Sequence, residues 1–241
     1  MSVSPAVLHR LGGDGPPVLL VHGFGADRFG WGANVQALVG THTIWGVDLP
    51  GHGGAGNDVG DGSPASLARG LAGAIADLPR PLPVLAHSLG AAVVLNHART
   101  DPGAFDRMIL LAPAGIGGPI DADFLARFPT LTTQDQAEAL LGRLVERSHF
   151  VPPMASHVLA GLADPDRRAA LAVIAAALPD CAPAPVPDCD PTVIWGGQDR
   201  ILPPPGDTVL GVAPEIIPGA GHLVQVEAAA AVNRRLSALL A

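Results

Sequence analysis

Four short polar segments each follow an apolar run, and their residue types could together carry out nucleophilic chemistry. They are His22-Gly23-Phe24-Gly25, Ser88 in AHSLG, Asp199 in WGGQD and His222 in GAGH. A lone histidine or aspartate in a glycine-rich loop is more often ordinary turn chemistry. Here a serine, an aspartate and a histidine occur in this order, each after a strand-like run. That conjunction favours a catalytic site at one edge of a parallel sheet.

The segment around Ser88 fits a sharp turn between a buried strand and a buried helix. Ala86 and Gly90, two residues before and two after the serine, are small enough to let the chain turn tightly there. Such a turn would hold the hydroxyl out of the packed elements. A serine that merely caps the following helix would look similar in sequence.

Backbone amides next to these segments could stabilise a developing negative charge. The glycines after His22 allow the Phe24 N–H to point toward the site. Together with the Leu89 N–H, it would form an oxyanion hole. A simple glycine-rich turn is the alternative for residues 22–25.

The elements that must position these residues alternate between strand-like and helical patterns. Short, continuously apolar runs predict strands buried on both faces. Predicted strands span 17–23, 42–48, 82–88, 107–113 and 191–197, a strand-like run PEIIPG precedes His222, and predicted helices span 30–39, 64–78, 89–99 and 225–240. This alternation predicts an α/β fold with a mostly parallel central sheet flanked by helices.

The alternation stops between residues 114 and 180, where only helical patterns occur. Helices are predicted at 121–128, 133–147, 154–162 and 165–178. We therefore expect a core domain formed by residues 1–113 and 181–241, with residues 114–180 inserted as an all-helical lid. A separate small domain is the alternative.

Composition excludes several classes of function. The 241 residues carry a net charge of −8 without a long basic run, which disfavours nucleic acid and membrane as partners. Lysine is absent, so a Schiff base or a P-loop lysine is excluded within this chain. No metal-ligand or nucleotide-binding motif is found, and we expect no cofactor. The first residues do not resemble a secretory signal, and we expect a cytoplasmic protein.

The chain resembles the α/β-hydrolase superfamily over nearly its full length. HGFG at 22–25, DLPGHG at 48–53, AHSLG, WGGQD and GAGH match its motifs in order and spacing. The resemblance implies Ser88 as the nucleophile, His222 as the base and Asp199 as the acid that orients it. Ala86 departs from the usual glycine but is small enough for the turn. Haloalkane dehalogenases and epoxide hydrolases of this superfamily need a carboxylate at the position of Ser88. The serine therefore excludes these two activities.

A closer resemblance is to the catalytic domain of the dihydrolipoamide acetyltransferase subunit of acetoin dehydrogenase complexes. VHGFG, DLPGHG and the run LLAPAGIGGPIDADFLARF carry this likeness into the predicted lid. That family implies transfer of an acetyl group from a lipoyl arm to coenzyme A. With no lysine here, a lipoyl carrier would act in trans. We favour a free-standing hydrolase of the same descent.

Apolar residues of the predicted lid and of the strand ends indicate the substrate class. Phe150, Leu202 and Leu223 are predicted to line the pocket, whereas the His87 side chain is expected to point away from it. Such a pocket suits a small to medium apolar acyl group. The predicted function is serine-dependent cleavage of an ester or thioester of a small molecule through an acyl-enzyme. The alternatives are the acetyl transfer above, carbon–carbon bond hydrolysis and a slow-turnover ligand receptor. The sequence does not decide the oligomeric state.

Overall fold

The computed structural model describes residues 2–179, 189 and 191–241, and its centre is one twisted sheet. Within the described residues the sheet has seven strands in the order β1-β3-β2-β4-β5-β6-β7. The strands are β1 (Val7–Gly12), β2 (Pro17–Val21), β3 (Thr43–Asp48), β4 (Pro83–His87), β5 (Arg107–Leu111), β6 (Thr192–Gly196) and β7 (Glu215–Ile217). Only β1 runs antiparallel to its neighbour. The predicted mostly parallel sheet is confirmed.

Helices cover both faces of this sheet. They are α1 (Gly32–Leu38), α2 (Pro64–Ala74), α3 (Leu89–Thr100), α4 (Ala122–Arg127), α5 (Gln134–Leu141), α6 (Val151–Leu162), α7 (Pro165–Ala177), α8 (Val224–Glu227) and α9 (Ala229–Leu239). Along β2, Val18 and Leu20 pack in the cluster that contains α9 residues, whereas Leu19 and Val21 pack in the cluster of α2 and α3. The side chains of a strand alternate between faces, so a continuously apolar strand fills both layers.

The sequence prediction missed β1 and the breaks in two helices. β1 has no buried residue and lies at the edge, so its apolar pattern is weak. The predicted helix 133–147 ends at Leu141 and is followed by a short 3-10 turn, Gly142–Leu144. The predicted helix 225–240 is divided at Ala228 into α8 and α9. The first break lies against the loop that carries His222, since the Leu223 N–H donates to the Leu144 carbonyl at 3.2 Å.

The predicted lid follows β5 and consists of helices α4 to α7 in its described part, residues 114–179. Three of these helices begin at an N-cap residue whose side chain accepts a hydrogen bond from a backbone N–H group of the first turn. These residues are Asp121, Thr133 and Asp164. No strand occurs in residues 114–179. The predicted boundary at residues 180 and 181 lies outside the described residues. Among the described helices, none is long and apolar enough to cross a membrane.

Candidate active site

Ser88 occupies the sharp turn between β4 and α3. Its backbone is in a strained conformation, with φ 49° and ψ −116°. The turn is held by the Ser88 N–H, which donates to the Leu111 carbonyl at 2.9 Å, and by the Ser88 carbonyl, which accepts from the Ala91 N–H at 3.0 Å. The hydroxyl does not cap α3. The alternative of a simple capping serine therefore does not fit the structure.

Gly90 allows the first turn of α3 to lie directly against the end of β2. A Cβ atom at this position would lie 2.4 Å from the His22 carbonyl oxygen and 2.5 Å from that of Val21. Both neighbours are backbone atoms, which cannot move aside without shifting β2. The small residue that the sequence places after Ser88 is thus required by close backbone approach.

The structure brings Ser88, His222 and Asp199 into one hydrogen-bonded chain. His222 Nε2 lies 3.0 Å from Ser88 Oγ, and His222 Nδ1 lies 2.7 Å from Asp199 Oδ2. Ser88 directly follows β4, whereas Asp199 and His222 lie in the loops after β6 and β7. All three side chains are buried. A serine, an imidazole and a carboxylate in this order form the arrangement that activates a hydroxyl for attack on a carbonyl.

Asp199 is held in its charged form by several donors. Burial alone would raise the pKa of Asp199, but the His222 imidazole and the N–H groups of Leu202 and Ile201 outweigh it, so the pKa is lowered. The two N–H groups each donate to Oδ1 at 2.9 Å, and the Trp195 indole donates to Oδ2 at 3.2 Å. The carboxylate is therefore fixed opposite His222 Nδ1.

The two amides predicted to stabilise an oxyanion lie beside Ser88. Leu89 follows it directly, and a Cβ at Gly23, next to Phe24, would lie 3.2 Å from Ser88 Cβ. Neither the Phe24 N–H nor the Leu89 N–H donates to an acceptor within the described residues. The adjacent Gly25 N–H, in contrast, donates to His52 Nε2 at 3.0 Å. Two unused donors next to a serine hydroxyl are what an oxyanion hole would require.

Three further histidines, buried and uncharged, hold the loops around the site in place. His22 accepts from the Leu49 N–H through Nε2, and His52 pairs its Nδ1 with the Pro50 carbonyl. Burial lowers the pKa of His22, and lowers the pKa values of His52 and His87 to about 3. These rings connect the loops at the carboxyl ends of the strands without carrying charge at neutral pH.

The expectation that the His87 side chain points away from the substrate is wrong. His87 lines the cavity described below, and its ring packs against that of His222 at a centroid distance of 4.8 Å. Its Nε2 lies 3.0 Å from the His222 carbonyl oxygen. The strand ends at residue 87, so the alternation of side chains does not extend into the sharp turn. His87 thereby holds the backbone of His222.

A cavity of about 480 Å³ opens above Ser88 and is enclosed by the loop after β2 and by the predicted lid. Phe150 and Leu223 line it, together with the aromatic and aliphatic side chains of Phe24, Phe124, Leu125, Phe128, Leu141, Leu144, Met154 and Val158. No arginine occurs among the described residues that line it. The wall is therefore largely apolar, and Ser88 and His222 are among the polar residues that line it.

The prediction that Leu202 lines the pocket is wrong. Leu202 is fully buried, and its carbonyl oxygen accepts from the Trp195 indole at 2.7 Å. Its N–H binds Asp199, as described above. The preceding residue, Ile201, lines the cavity instead. Leu202 thus contributes backbone groups that position the carboxylate, because the turn after Asp199 directs its side chain into the core.

Glu227 is a site residue that the sequence analysis missed. It is 3% exposed, and its carboxylate accepts from the Gly221 N–H at 2.6 Å and from the Glu146 and Arg147 N–H groups at 2.8 Å. It therefore joins the loop of His222 to the end of the 3-10 turn in the predicted lid. A glutamate in a short helix next to His222 was the only available signal, since its partners are distant in sequence.

Comparison with known proteins identifies the family. The family model described as "Alpha/beta hydrolase family" matches residues 18–235. The chain belongs to this family. It is 32% identical to the dihydrolipoyllysine-residue acetyltransferase component of the acetoin cleaving system of Pseudomonas putida, over 96% of this chain and 65% of that protein. The chain thus spans slightly less than two thirds of the length of this relative.

Solved structures of hydrolases share the fold. An esterase from Thermogutta terrifontis matches with a TM-score of 0.77 and 24% identity, over 98% of this chain and 92% of that one. A meta-cleavage product hydrolase from Pseudomonas fluorescens matches with a TM-score of 0.82 and 17% identity, over 98% of this chain and 94% of that one. At these identities the likeness shows the fold alone. The predicted α/β-hydrolase fold is confirmed, and the family indicates an enzyme of this type.

Proposed function

We propose that this α/β-hydrolase cleaves an ester or thioester of a small to medium apolar acyl group through an acyl-enzyme on Ser88. One observation carries the proposal. The chain of hydrogen bonds that runs from Asp199 through His222 to Ser88 ends at a largely apolar cavity, beside two unused backbone N–H groups. The residues have separate roles as nucleophile, base, orienting acid and oxyanion donors.

In the first step, Ser88 Oγ attacks the acyl carbon while His222 Nε2 takes the hydroxyl proton. The Phe24 and Leu89 N–H groups stabilise the negative oxygen of the tetrahedral intermediate. The bond to the alcohol or thiol then breaks, and the leaving group takes the proton from the His222 imidazolium. Asp199 keeps Nδ1 protonated and stabilises the imidazolium charge throughout. Water then attacks the acyl-enzyme by the same route and releases the acid.

The cavity supports an apolar acyl group of limited size. Its volume of about 480 Å³ lies in the lower half of the range common for small-molecule sites, and Phe124, Phe128 and Phe150 occupy its wall. Two lid arginines that could neutralise a carboxylate pair with acids instead: Arg143 with Asp121 at 3.0 Å and Arg127 with Asp123 at 3.5 Å. A charged acyl group, or the carboxylate-bearing substrate of a carbon–carbon hydrolase, is therefore disfavoured.

Acyl transfer to a thiol is the second candidate, because of the Pseudomonas putida relative. Its printed name describes a dihydrolipoyllysine-residue acetyltransferase component. The same acyl-enzyme could be resolved by a thiol such as that of coenzyme A instead of water. The lipoyl arm would then be supplied by a separate carrier. The acceptor, and not the first half-reaction, distinguishes the two candidates.

The test is hydrolysis of p-nitrophenyl esters from acetate to octanoate by the parent protein and by Ser88→Ala. We expect activity that is highest at one chain length and falls at least 10³-fold in the variant, as expected for loss of a nucleophile. Activity that persists in Ser88→Ala would contradict the proposal. Acetyl-dihydrolipoamide with and without coenzyme A then separates hydrolysis from transfer. An inert protein that binds these esters tightly would favour the ligand-receptor alternative.

A further inference from the structure

The loop that carries the Phe24 N–H, one of the two proposed oxyanion donors, cannot fix the direction of this group by its own sequence. A glycine stands on each side of Phe24, and glycines restrict the backbone little. Gly25 has a φ of 69°, a conformation that favours glycine, and a Cβ there would lie 2.2 Å from the Phe128 ring. The peptide groups on both sides of Phe24 therefore need partners outside the loop to hold them.

His22 holds the peptide group that precedes Phe24. The Leu49 N–H donates to His22 Nε2 at 3.1 Å, so Nε2 is the unprotonated nitrogen of the neutral ring and Nδ1 carries the proton. Nδ1 then donates to the Gly23 carbonyl oxygen at 2.8 Å. In a trans peptide group the carbonyl and the next N–H point in opposite directions. A Gly23 carbonyl held toward His22 thus directs the Phe24 N–H away from it.

His52 holds the peptide group that follows Phe24. The Gly25 N–H donates to His52 Nε2 at 3.0 Å, which leaves the proton on Nδ1, and Nδ1 donates to the Pro50 carbonyl oxygen at 3.0 Å. The loop is therefore bound by Nδ1 of His22 and by Nε2 of His52. The two rings also contact each other, with a centroid distance of 4.9 Å.

Burial makes these two side chains the principal partners of the loop. Each histidine is 2% exposed, so water has little access to replace the bonds. Burial also lowers the pKa of both rings, so that each has one donor and one acceptor nitrogen at neutral pH. The Ala26 N–H also donates to the Gly23 carbonyl, but at a longer distance of 3.3 Å.

We infer that His22 and His52 are positioning residues that direct the Phe24 N–H toward the oxyanion, His22 through Nδ1 and His52 through Nε2. The inference rests on the proposed function, because the oxyanion is that of the tetrahedral intermediate on Ser88. A donor that is already oriented stabilises the developing charge without reorganisation. Neither histidine gives or takes a proton in the proposed reaction.

Asparagine and glutamine substitutions distinguish the two nitrogens of each ring. The shorter Asn side chain places its amide near Nδ1, whereas the Gln side chain places its amide near Nε2. His22→Asn therefore keeps the donor to the Gly23 carbonyl, and His22→Gln removes it. At His52 the pattern is reversed: His52→Gln keeps an acceptor for the Gly25 N–H, and His52→Asn removes it.

The kcat and KM for the best p-nitrophenyl ester are measured for the four variants, with urea unfolding in parallel. We expect His22→Gln and His52→Asn to lower kcat by about 10- to 100-fold with little change in KM, which is less than the loss of a whole oxyanion donor. We expect His22→Asn and His52→Gln to lower kcat less than about threefold, although each variant loses one buried hydrogen bond.

His149→Asn and His149→Gln are the controls, since His149 is exposed, and both should behave as the parent. Equal losses of kcat within each pair of variants would overturn the inference. Losses that follow the free energy of unfolding, and not the nitrogen that is retained, would also overturn it.

A spectroscopic measurement on the same peptide group separates this inference from the proposed function. Gly23-Phe24 is the only Gly-Phe pair in the sequence, so labelling with 13C-carbonyl glycine and 15N-phenylalanine gives a single correlation for this peptide group. We expect its NMR signal to stay near the parental position in His22→Asn and His52→Gln. In His22→Gln and His52→Asn it should shift or broaden, because the peptide group loses its fixed orientation.

This pattern of signals would support the positioning role even if the parent hydrolyses no ester. Ester cleavage by the parent, together with an unchanged signal in all four variants, would leave the proposed function intact and overturn this inference alone.

Discussion

At the scale of single residues, the site depends on a few atoms held by backbone donors. Asp199 is the clearest case, since two N–H groups and one indole surround the carboxylate that faces His222. Its lowered pKa follows from this environment, in spite of burial. The carboxylate can therefore keep the His222 ring in one orientation, with Nε2 directed at Ser88.

Asp199→Asn is expected to lower kcat by about 10⁴-fold with little change in KM, because an amide would favour the wrong imidazole tautomer. The measurement is steady-state hydrolysis of the best p-nitrophenyl ester, with thermal unfolding to verify folding. Asp207→Asn, the same substitution at an exposed position, should leave kcat and KM unchanged. A loss of less than tenfold in Asp199→Asn would show that this carboxylate does not orient the base.

At the scale of elements, the loops after the strands are fixed by contacts with the predicted lid. Glu227 joins residues 146 and 147 to Gly221, the Leu223 N–H donates to the Leu144 carbonyl at 3.2 Å, and Arg200 donates to the Val145 carbonyl at 3.0 Å. Leu144 also lines the cavity. The position of His222 is thus linked to a segment that lines the cavity above Ser88.

Glu227→Gln is expected to lower kcat by about tenfold and the free energy of unfolding by about 1–3 kcal/mol, because the amide nitrogen would face a backbone N–H. The His222→Ala background shows whether the loss of activity acts through the histidine. There the second substitution should have no further effect on the residual rate.

Glu215→Gln is the matched control, since Glu215 forms an exposed ion pair with Arg235 and its carboxylate has no other hydrogen-bond partner among the described residues. It should change kcat less than twofold. If Glu227→Gln lowers the residual rate of His222→Ala as strongly as it lowers that of the parent, Glu227 does not act through His222.

The same elements show what local sequence can and cannot predict. Strands β2 to β6 were predictable because buried parallel strands are continuously apolar, and the turn at Ser88 was predictable from its small neighbours. β1 was not, because an edge strand without buried residues lacks that pattern. Glu227 was not predicted because its role arises from contacts with residues far away in the sequence. Leu202 was misassigned because the direction of a loop side chain does not follow from its hydrophobicity.

At the scale of the whole molecule, the carboxyl edge of the sheet contains several buried neutral histidines, and this affects stability. The pKa values of His52 and His87 are lowered to about 3, mainly by burial, from the unfolded value of 6.5. Between these values the unfolded chain binds more protons than the folded one. The stability that depends on the neutral forms of these two histidines is therefore fully present above pH 6.5. It is lost as the pH decreases toward 3.

The free energy of unfolding is expected to fall by up to about 1.4 kcal/mol per pH unit for each of these two histidines. Urea unfolding at pH values from 7.5 to 4.5 measures this slope. His52→Gln should be less stable than the parent at pH 7.5 but show a shallower slope. His149→Gln, at an exposed position, should keep the parental slope. An equal slope in His52→Gln and the parent would show that His52 is not a buried neutral base.

Covalent modification of Ser88 shows whether its hydroxyl is the nucleophile. The protein is incubated with a fluorophosphonate, digested, and the modified peptide is identified by mass spectrometry, with loss of esterase activity followed in parallel. If Ser88 is the nucleophile, we expect one equivalent of label, located on Ser88, with activity lost in proportion and no labelling in Ser88→Ala, as this assignment requires. Complete labelling of another residue, or full activity after Ser88 has been labelled, would contradict it.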